Sequence, residues 1–426
     1  MSGQQTRAGD GRTVPGASGR HGLVRPDRTR LVVGSITFAI AVAAFARIPV
    51  LPDIGADLDL SAGEIGLLTT AFGLGRLVMD LPAGRLAANV RPALALAGAG
   101  AGLAVAAGLL AAAGTLGIAL VASALIGCAS ALTNTTSMYA FATATDATRR
   151  GASMAIYTTA LMSGQMVGPA LGGVIASIAG WREAMAVAGA IGAVVAIAAT
   201  VWWRRDRRRT DIGAGAGATA GDIGAGTHAG RAELAALATA PFATFFGMAG
   251  LTQTLIPLIG NGELGLSASA IGIALALGAA ARFGSAWVAG IVSDRFSRKV
   301  VLVPSLLTMA LGAAVLALPP GAVGWSLGIL LIALGSSGIS VAAAAVADWV
   351  PAHRLGHELG VFRLLGDVGL LIGPAATGFA YGASGPALAG GLSAAVFVAA
   401  ALAAAIWVRG GGAPADFVAD TGEFSV

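Results

Sequence analysis

Hydrophobic runs of about 20 residues recur along the whole chain and restrict its fold more than any other feature. One such run crosses the roughly 30 Å hydrocarbon core of a bilayer as a helix. Only 11 % of the 426 residues are charged, whereas soluble domains carry roughly 25 %. Backbone N–H and C=O groups in lipid find no water, so they must form hydrogen bonds within their own segment. The hydrophobic runs therefore predict helices. We predict twelve spans, at 31–52, 63–84, 93–113, 115–141, 152–178, 182–203, 233–260, 268–291, 300–318, 323–347, 358–382 and 385–408.

The longest polar stretch between spans separates the sixth from the seventh. It begins with RRDRRR and continues with Gly, Ala and Thr, a composition that cannot bury apolar surface and predicts a flexible tether. The predicted organisation is a cytoplasmic N-terminal tail at 1–30, a six-helix bundle at 31–203, a cytoplasmic linker at 204–232, a second six-helix bundle at 233–408 and a cytoplasmic C-terminal tail at 409–426.

The basic residues are distributed unevenly between the two sides of the predicted bundle. The tails and the loops after even-numbered spans hold 21 of the 26 Lys and Arg, and the other loops hold one, Arg182. Cytoplasmic loops carry the excess of basic residues in membrane proteins. Both termini are therefore predicted to be cytoplasmic, in a multi-pass protein of the plasma (inner) membrane.

Parts of the first half recur in the second half at a nearly constant offset. Residues 61–90 align without a gap on 267–296, an offset of 206, and Gly151 to Gly173 align on Gly356 to Gly378 at an offset of 205. Two like halves around a midplane site are typical of secondary transporters. The predicted fold is all-α, with two pseudo-symmetric six-helix bundles facing each other across a central cavity.

The loop after span 8 reads GIVSDRFSRK and begins at Gly290. It resembles the cytoplasmic G-x-x-x-D-R-x-x-R-[KR] loop of the major facilitator superfamily, and the resemblance extends over nearly the whole chain. We expect Gly290 to end its helix in close packing, and Asp294, Arg295 and Arg298 to form a charged latch at the membrane surface.

The equivalent loop of the first half begins at Gly84 and departs from that pattern. Ala88 and Asn89 stand where the family carries the Asp-Arg pair, and the loop is shorter. A latch on that side is expected to be weaker.

Span 5 carries GQMVGPALGG, which resembles the Gly-Pro motif of the drug/proton antiporters of the family. Glycines four apart let helices approach closely, and proline can kink a helix. Span 11 repeats the pattern as GLLIGPAATG, so generic helix packing is the alternative interpretation. Against an antiporter, Ser123 stands where such proteins usually carry an arginine in span 4. The motif residues are Gly164, Gly168, Pro169 and Gly173, with Gly373 and Pro374 in span 11.

Four polar side chains within the spans are candidates for substrate contact. Asn134 and Gln165 have amides with four hydrogen-bonding sites to satisfy. Arg47 is placed near the outer rim of the cavity, with snorkelling to the interface as the alternative, and its repeat equivalent is Gln253. Serine and threonine hydroxyls are expected to donate to backbone carbonyls of the preceding helical turn rather than to a substrate. Methionines are expected on the cavity wall, namely Met138, Met154, Met162 and Met166.

Five further charged residues lie within spans, where ionisable groups are costly and mark function. Arg76 and Asp80 lie one turn apart in span 2, and Arg363 and Asp367 lie one turn apart in span 11. The resemblance implies that these spans are neighbours, and depth then pairs Asp80 with Arg363 and Arg76 with Asp367. Pairing within each helix is the alternative. We assign all four residues and Arg282 to gating or coupling, with Asp367 as the candidate proton carrier.

The function expected from these features is secondary active transport by alternating access. The leading interpretation is a proton-coupled exporter of a small apolar or amphipathic compound. The alternative is an importer of a small polar or anionic metabolite, with Arg47 and Arg76 or Arg282 as the anion site. A membrane-embedded enzyme is a remote alternative, because no nucleophile, base or metal set is visible. The expected partners are a small-molecule substrate, protons and the lipid bilayer, with no cofactor, no metal and no nucleic acid.

Overall fold

The computed structural model describes residues 28–143, 150–206, 231–319, 321–349 and 352–408, and these are helical with no strand among them. Most of the predicted linker and both predicted tails lie outside the described residues. The α-helices are α1 Arg28–Phe45, α2 Leu51–Asp57, α3 Ala62–Asn89, α4 Pro92–Ala111, α5 Leu116–Thr143, α6 Arg150–Ala179, α7 Trp181–Asp206, α8 Arg231–Gly247, α9 Ile256–Leu258, α10 Ala268–Arg295, α11 Arg298–Ala317, α12 Ala322–Gly335, α13 Gly338–Trp349 and α14 Ala352–Trp407.

Ten helices of the described chain are long and apolar enough to cross a membrane, or eleven when the two bent parts of α3 count as one span. The last of them, Val361–Trp407, has 47 residues, about 70 Å at 1.5 Å per residue, which is twice what a bilayer needs. Its backbone leaves the helical region at Ser384 and Gly385. Dividing α14 there gives a first arm (352–383) and a second arm (386–407), and the count of twelve predicted spans rests on that division.

Helices α3 and α10 begin with the same device at equivalent positions of the repeat. Ser61 caps α3 in a capping box, in which its hydroxyl accepts from the Glu64 backbone N–H and the Glu64 carboxylate accepts from the Ser61 backbone. Ser267 caps α10 by accepting from the backbone N–H of Ala270. Each cap satisfies backbone donors that the first helical turn leaves free.

Two features of the helices were not predicted. Helix α3 bends by 45° between Asp80 and Pro82, where the proline lacks the N–H that would bond the preceding turn. The seventh span changes from α8 into π-helical turns at Met248–Leu255 and Ile259–Glu263. Helix α6 continues through Pro169.

Each half has its own hydrophobic core, and the two halves meet through two equivalent helix crossings. Helix α3 packs on the first arm of α14, and α6 packs on α10. A Cβ added at Gly66 would collide with the carbonyl oxygen of Pro374, and one added at Gly272 would collide with that of Pro169. Because Gly66 and Gly272 are equivalent in the repeat, as are Pro169 and Pro374, the two crossings use the same residues.

These crossings lie near one face of the bundle. We call the face where α1 begins and α14 ends the terminal face, and the other the distal face. Gly66 and Gly272 lie close to the distal ends of α3 and α10. Arg182 also belongs to the distal face, where its Nη2 lies 2.7 Å from Asp57 Oδ2 and its Nη1 donates to the carbonyls of Ala111 and Ala113. These local bonds explain why Arg182 can lie on the distal face, where the sequence places few basic residues.

The packing expected at Gly290 is wrong. Helix α10 runs past Gly290 to Arg295, and α3 runs past Gly84 to Asn89. A Cβ at either glycine would meet nothing within 4 Å. Both helices extend beyond their predicted spans by one turn or more, so these glycines lie inside a helix on an open surface.

Candidate functional site

An open cavity lies between the two halves, with about 600 Å³ of empty space that includes open solvent. Helices α1 and α6 of the first half contribute to it, as do the π-helical segment and helices α10 and α12 of the second half. Its lining residues are Phe45, Ile48, Gln165, Pro169, Met248, Thr252, Gln253, Leu275, Gly278, Ala279, Arg282, Ile329, Ile332, Ala333 and Ser336.

The strongest polar contact in the cavity joins the two halves. Arg282 of α10 donates from Nη2 to Gln165 Oε1 of α6 at 2.8 Å, and from Nη1 to Met248 Sδ at 3.5 Å. Gln165 is therefore placed where the sequence predicts a substrate contact. Arg282, which the sequence assigns to gating or coupling, lines the same cavity.

A second arginine lies behind the cavity wall. Arg47 is 1 % exposed, donates from Nη2 to Gln253 Oε1 at 3.3 Å and places its guanidinium 4.3 Å from the centre of the Phe72 ring. Its Nε and Nη1 are buried without a hydrogen-bond partner. The expected position at an outer rim is therefore wrong, since the side chain lies inside the protein between the halves. Its neighbours in sequence, Phe45 and Ile48, line the cavity.

The π-helical turn positions Gln253 against the cavity. An i→i+5 turn contains one more residue than an α-turn, and such turns are often found at functional sites. The hydroxyl of Thr254 donates to the carbonyl of Ala249 five residues earlier at 3.3 Å. Trp325 Nε1 donates to the carbonyl of Ile256 at 3.0 Å, which anchors the segment to α12.

Hydroxyls in the tenth span behave as the sequence predicts. Ser336, Ser337 and Ser340 donate to the carbonyls of Ala333, Leu334 and Ser337 at 2.7–2.9 Å. These bonds satisfy backbone oxygens where α12 ends and α13 begins, so the serines have a structural role.

A cluster of charged residues lies between α3 and the first arm of α14, nearer the terminal face. Arg363 Nη2 lies 3.3 Å from Asp80 Oδ1, so the ion pair predicted across the two helices is present. Arg76 instead donates from Nη1 to Ser130 Oγ of α5 at 3.1 Å. No nitrogen of Arg76 lies within 4.0 Å of a carboxylate oxygen of Asp367, and neither pair predicted within a helix is formed among these four residues.

Several residues predicted for the site lie elsewhere. Asn134 is partly buried on α5 and is not among the residues that line the cavity, and none of the four methionines predicted on its wall lines it either. The cavity is lined instead by residues that the sequence did not indicate, among them Met248, Phe45 and Thr252. Their sequence signal is weak, because an apolar or hydroxyl residue in a span looks the same whether it faces a cavity, a helix or lipid.

The glycine motifs pack helices together, mostly within each half and, at Gly173, between the halves. A Cβ at Gly164 or Gly168 would lie 2.6 Å from a carbonyl of α1, and one at Gly373 would collide with the carbonyl of Phe246 on α8. One at Gly173 would collide with the carbonyl of Ala268 on α10. Close helix packing, the alternative given for this motif, therefore accounts for its glycines.

The loop motif at the terminal face is described in part. The side chain of Asp294 lies outside the described residues, Arg295 is exposed, and Arg298 donates from Nη1 to Ser293 Oγ at 2.8 Å. In the first half, Asn89 Nδ2 donates to the carbonyl of Arg85 at 2.9 Å, a bond within α3 that contributes nothing between helices.

Comparison with known proteins identifies the chain's relatives. The family model described as Major Facilitator Superfamily matches residues 33–341 and 237–423. The tetracycline resistance protein, class C, of Escherichia coli is 37 % identical over 113 residues, which are 26 % of this chain and 28 % of that protein. The match therefore spans about a quarter of that relative's length.

Solved structures share the fold at low identity. A bacterial homologue of the human lysosomal transporter Spinster, in an inward-facing and occupied conformation, gives a TM-score of 0.66 at 18 % identity, covering 89 % of this chain and 95 % of that one. The nucleoside transporter NupG gives 0.68 at 13 % identity, covering 90 % of this chain and all of that one.

Proposed function

This chain belongs to the Major Facilitator Superfamily, and from that premise we propose that it exports a small amphipathic compound in exchange for protons. It is a multi-pass membrane transporter and not an enzyme. The proposed cycle is alternating access across the plasma membrane, with the terminal face in the cytoplasm.

The observation that carries the proposal is the composition of the central cavity. Most of its wall is apolar, and its strongest polar contact is the bond between Arg282 and Gln165. A ligand cavity of this kind binds an apolar body through its walls and orients it through few polar groups. An amphipathic compound fits that description better than a wholly polar one.

Two features support alternating access. Equivalent crossings join the halves near the distal face, at Gly66 on Pro374 and at Gly272 on Pro169. Nearer the terminal face, α3 and α14 instead contact each other through the ion pair of Asp80 and Arg363, which can exchange partners. This pair is present together with the tight distal contacts, so we propose that it breaks as the terminal face opens further.

Proton coupling is proposed through Asp367. Its carboxylate is partly buried and lies within the charged cluster, yet it has no ion-pair partner within 4.0 Å among the described residues. A carboxylate in a membrane span that exchanges partners during the cycle can take up and release a proton.

The direct experiment measures proton-driven transport in everted vesicles. Acidifying the lumen should drive accumulation of an exported compound, with tetracycline and fluorescent amphipathic dyes as the first probes. Asp367→Asn should abolish the response to the pH gradient, whereas Arg85→Gln, an exposed charge change on the same helix as Asp80, should leave it intact. Accumulation that ignores the gradient in the wild type would overturn proton coupling.

An importer of a small polar metabolite is the second candidate. The amides of Gln165 and Gln253 together with Arg282 offer more polar contact than a wholly apolar cargo needs. Growing cells separate the two candidates, because an exporter lowers accumulation of its compound and an importer raises it.

A further inference from the structure

We propose that the transported compound carries a carboxylate or an equivalent anionic group, which binds in the cavity at its polar lining residues Arg282, Gln165 and Gln253. This inference rests on the proposed transport function and adds the charge of the substrate. It applies to export and import alike.

These polar lining groups present hydrogen-bond donors to the cavity. A guanidinium has five N–H donors and no acceptor. Because Arg282 and Arg47 donate to Gln165 and Gln253, the oxygen of each amide must face its arginine. Each amide NH₂ group is then left to donate elsewhere. A ligand that satisfies these groups must supply acceptors.

The positive charge of this region has no ion-pair partner among the described residues. No described carboxylate oxygen lies within 4.0 Å of the guanidinium of Arg47 or Arg282. Arg47 is 1 % exposed, and its Nε and Nη1 are buried without a hydrogen-bond partner in the described part of the chain. Unpaired buried charge is strongly unfavourable, so a ligand that brings an anion would relieve a cost already present in the empty protein.

The rest of the wall is suited to an apolar body. The apolar lining includes Ile48, Leu275, Ile329, Ile332 and Phe45. The same arginines repel a cationic amphipath. The chemistry therefore selects an organic acid with an apolar body and disfavours cations and neutral compounds of the same shape.

The test compares acids with their own amides on the purified full-length protein. The probes are benzoate, 2-naphthoate and 2-anthroate, each paired with the corresponding carboxamide. Binding is measured by the shift in thermal unfolding and by calorimetry. At least one acid should bind about tenfold or more tightly than its amide, as expected for charge-assisted hydrogen bonds.

Variants then locate the preference. Arg282→Gln should bring acid and amide to within about twofold of each other, Arg282→Lys should retain part of the difference, and Arg85→Gln should retain all of it. If no acid binds more tightly than its amide, or if Arg282→Gln keeps the preference, the inference is overturned. The comparison of acid and amide binding to the wild-type protein tests the inference even if a variant fails to fold.

Transport separates this inference from the proposed function. Neutral dyes carried as well as acids would remove the inference and leave the exporter standing. Acids that bind at Arg282 but move in neither direction in vesicles would remove the exporter and leave the binding site standing.

Discussion

Arg47 and Gln253 are separated by 206 residues, the offset of the internal repeat, and their side chains contact each other at 3.3 Å between Nη2 and Oε1. Two equivalent positions of a repeat can meet only close to the axis that relates the halves. This pair therefore marks the pseudo-two-fold axis and lies beside the central cavity.

The first prediction concerns that pair. Gln253→Leu removes the one hydrogen-bond partner that the described residues give the buried Arg47 guanidinium, and it should lower the free energy of unfolding by about 1–3 kcal/mol. Arg47→Leu combined with Gln253→Leu should recover most of the loss, because replacing both partners removes the unpaired charge. Thermal unfolding followed by tryptophan fluorescence measures both. A double variant less stable than Gln253→Leu would contradict this account.

The second prediction concerns the ion pair of Asp80 and Arg363. Asp80→Arg and Arg363→Asp should each abolish transport, since each places two like charges side by side in a membrane span. The double swap should restore a measurable part of the activity. Expression in the membrane serves as the control, and a double swap as inactive as either single variant would count against the pair.

The third prediction concerns the distal crossings. Gly66→Ala and Gly272→Ala should each reduce transport about tenfold or more, because the added methyl group cannot coexist with the carbonyl of Pro374 or Pro169. Gly98→Ala on α4 is the matched control, since its Cβ would meet nothing within 4 Å. Equal rates for all three variants would show that the distal contact need not close during the cycle.

The fourth prediction concerns orientation. In a Cys128→Ser background, an impermeant thiol reagent applied to intact cells should label Gly321→Cys on the distal face and leave Arg85→Cys on the terminal face unlabelled. The expectation follows from the 21 basic residues on one side and one on the other, because cytoplasmic loops carry the excess of basic residues. The reverse labelling would place both termini outside the cytoplasm.

Sequence reasoning reached features that depend on regular geometry. Once the family resemblance implies that spans 2 and 11 are neighbours, depth along a helix pairs Asp80 with Arg363, because 1.5 Å per residue applies to both spans. The gap predicted at 383–384 lies beside the observed break at Ser384 and Gly385. Neither argument needs knowledge of how distant side chains pack.

The remaining features depend on tertiary packing. The bond from Arg282 to Gln165 joins residues 117 positions apart, and nothing local to either one selects the other. The π-helical segment around Gln253 has no sequence signal beyond Pro257. The burial of Arg47 follows from its position on the axis, which only the assembled halves define.

The contact on the axis also bears on how such a chain can arise. A dimer of two identical six-helix units would place the same residue on both sides of its axis. Two arginines there would repel each other inside the membrane, and two glutamines would bring no charge to the cavity. Arginine opposite glutamine is available only after duplication and fusion, when the two copies mutate independently. The asymmetric charge beside the cavity is thus a property that the single chain has and its symmetric ancestor could not have had.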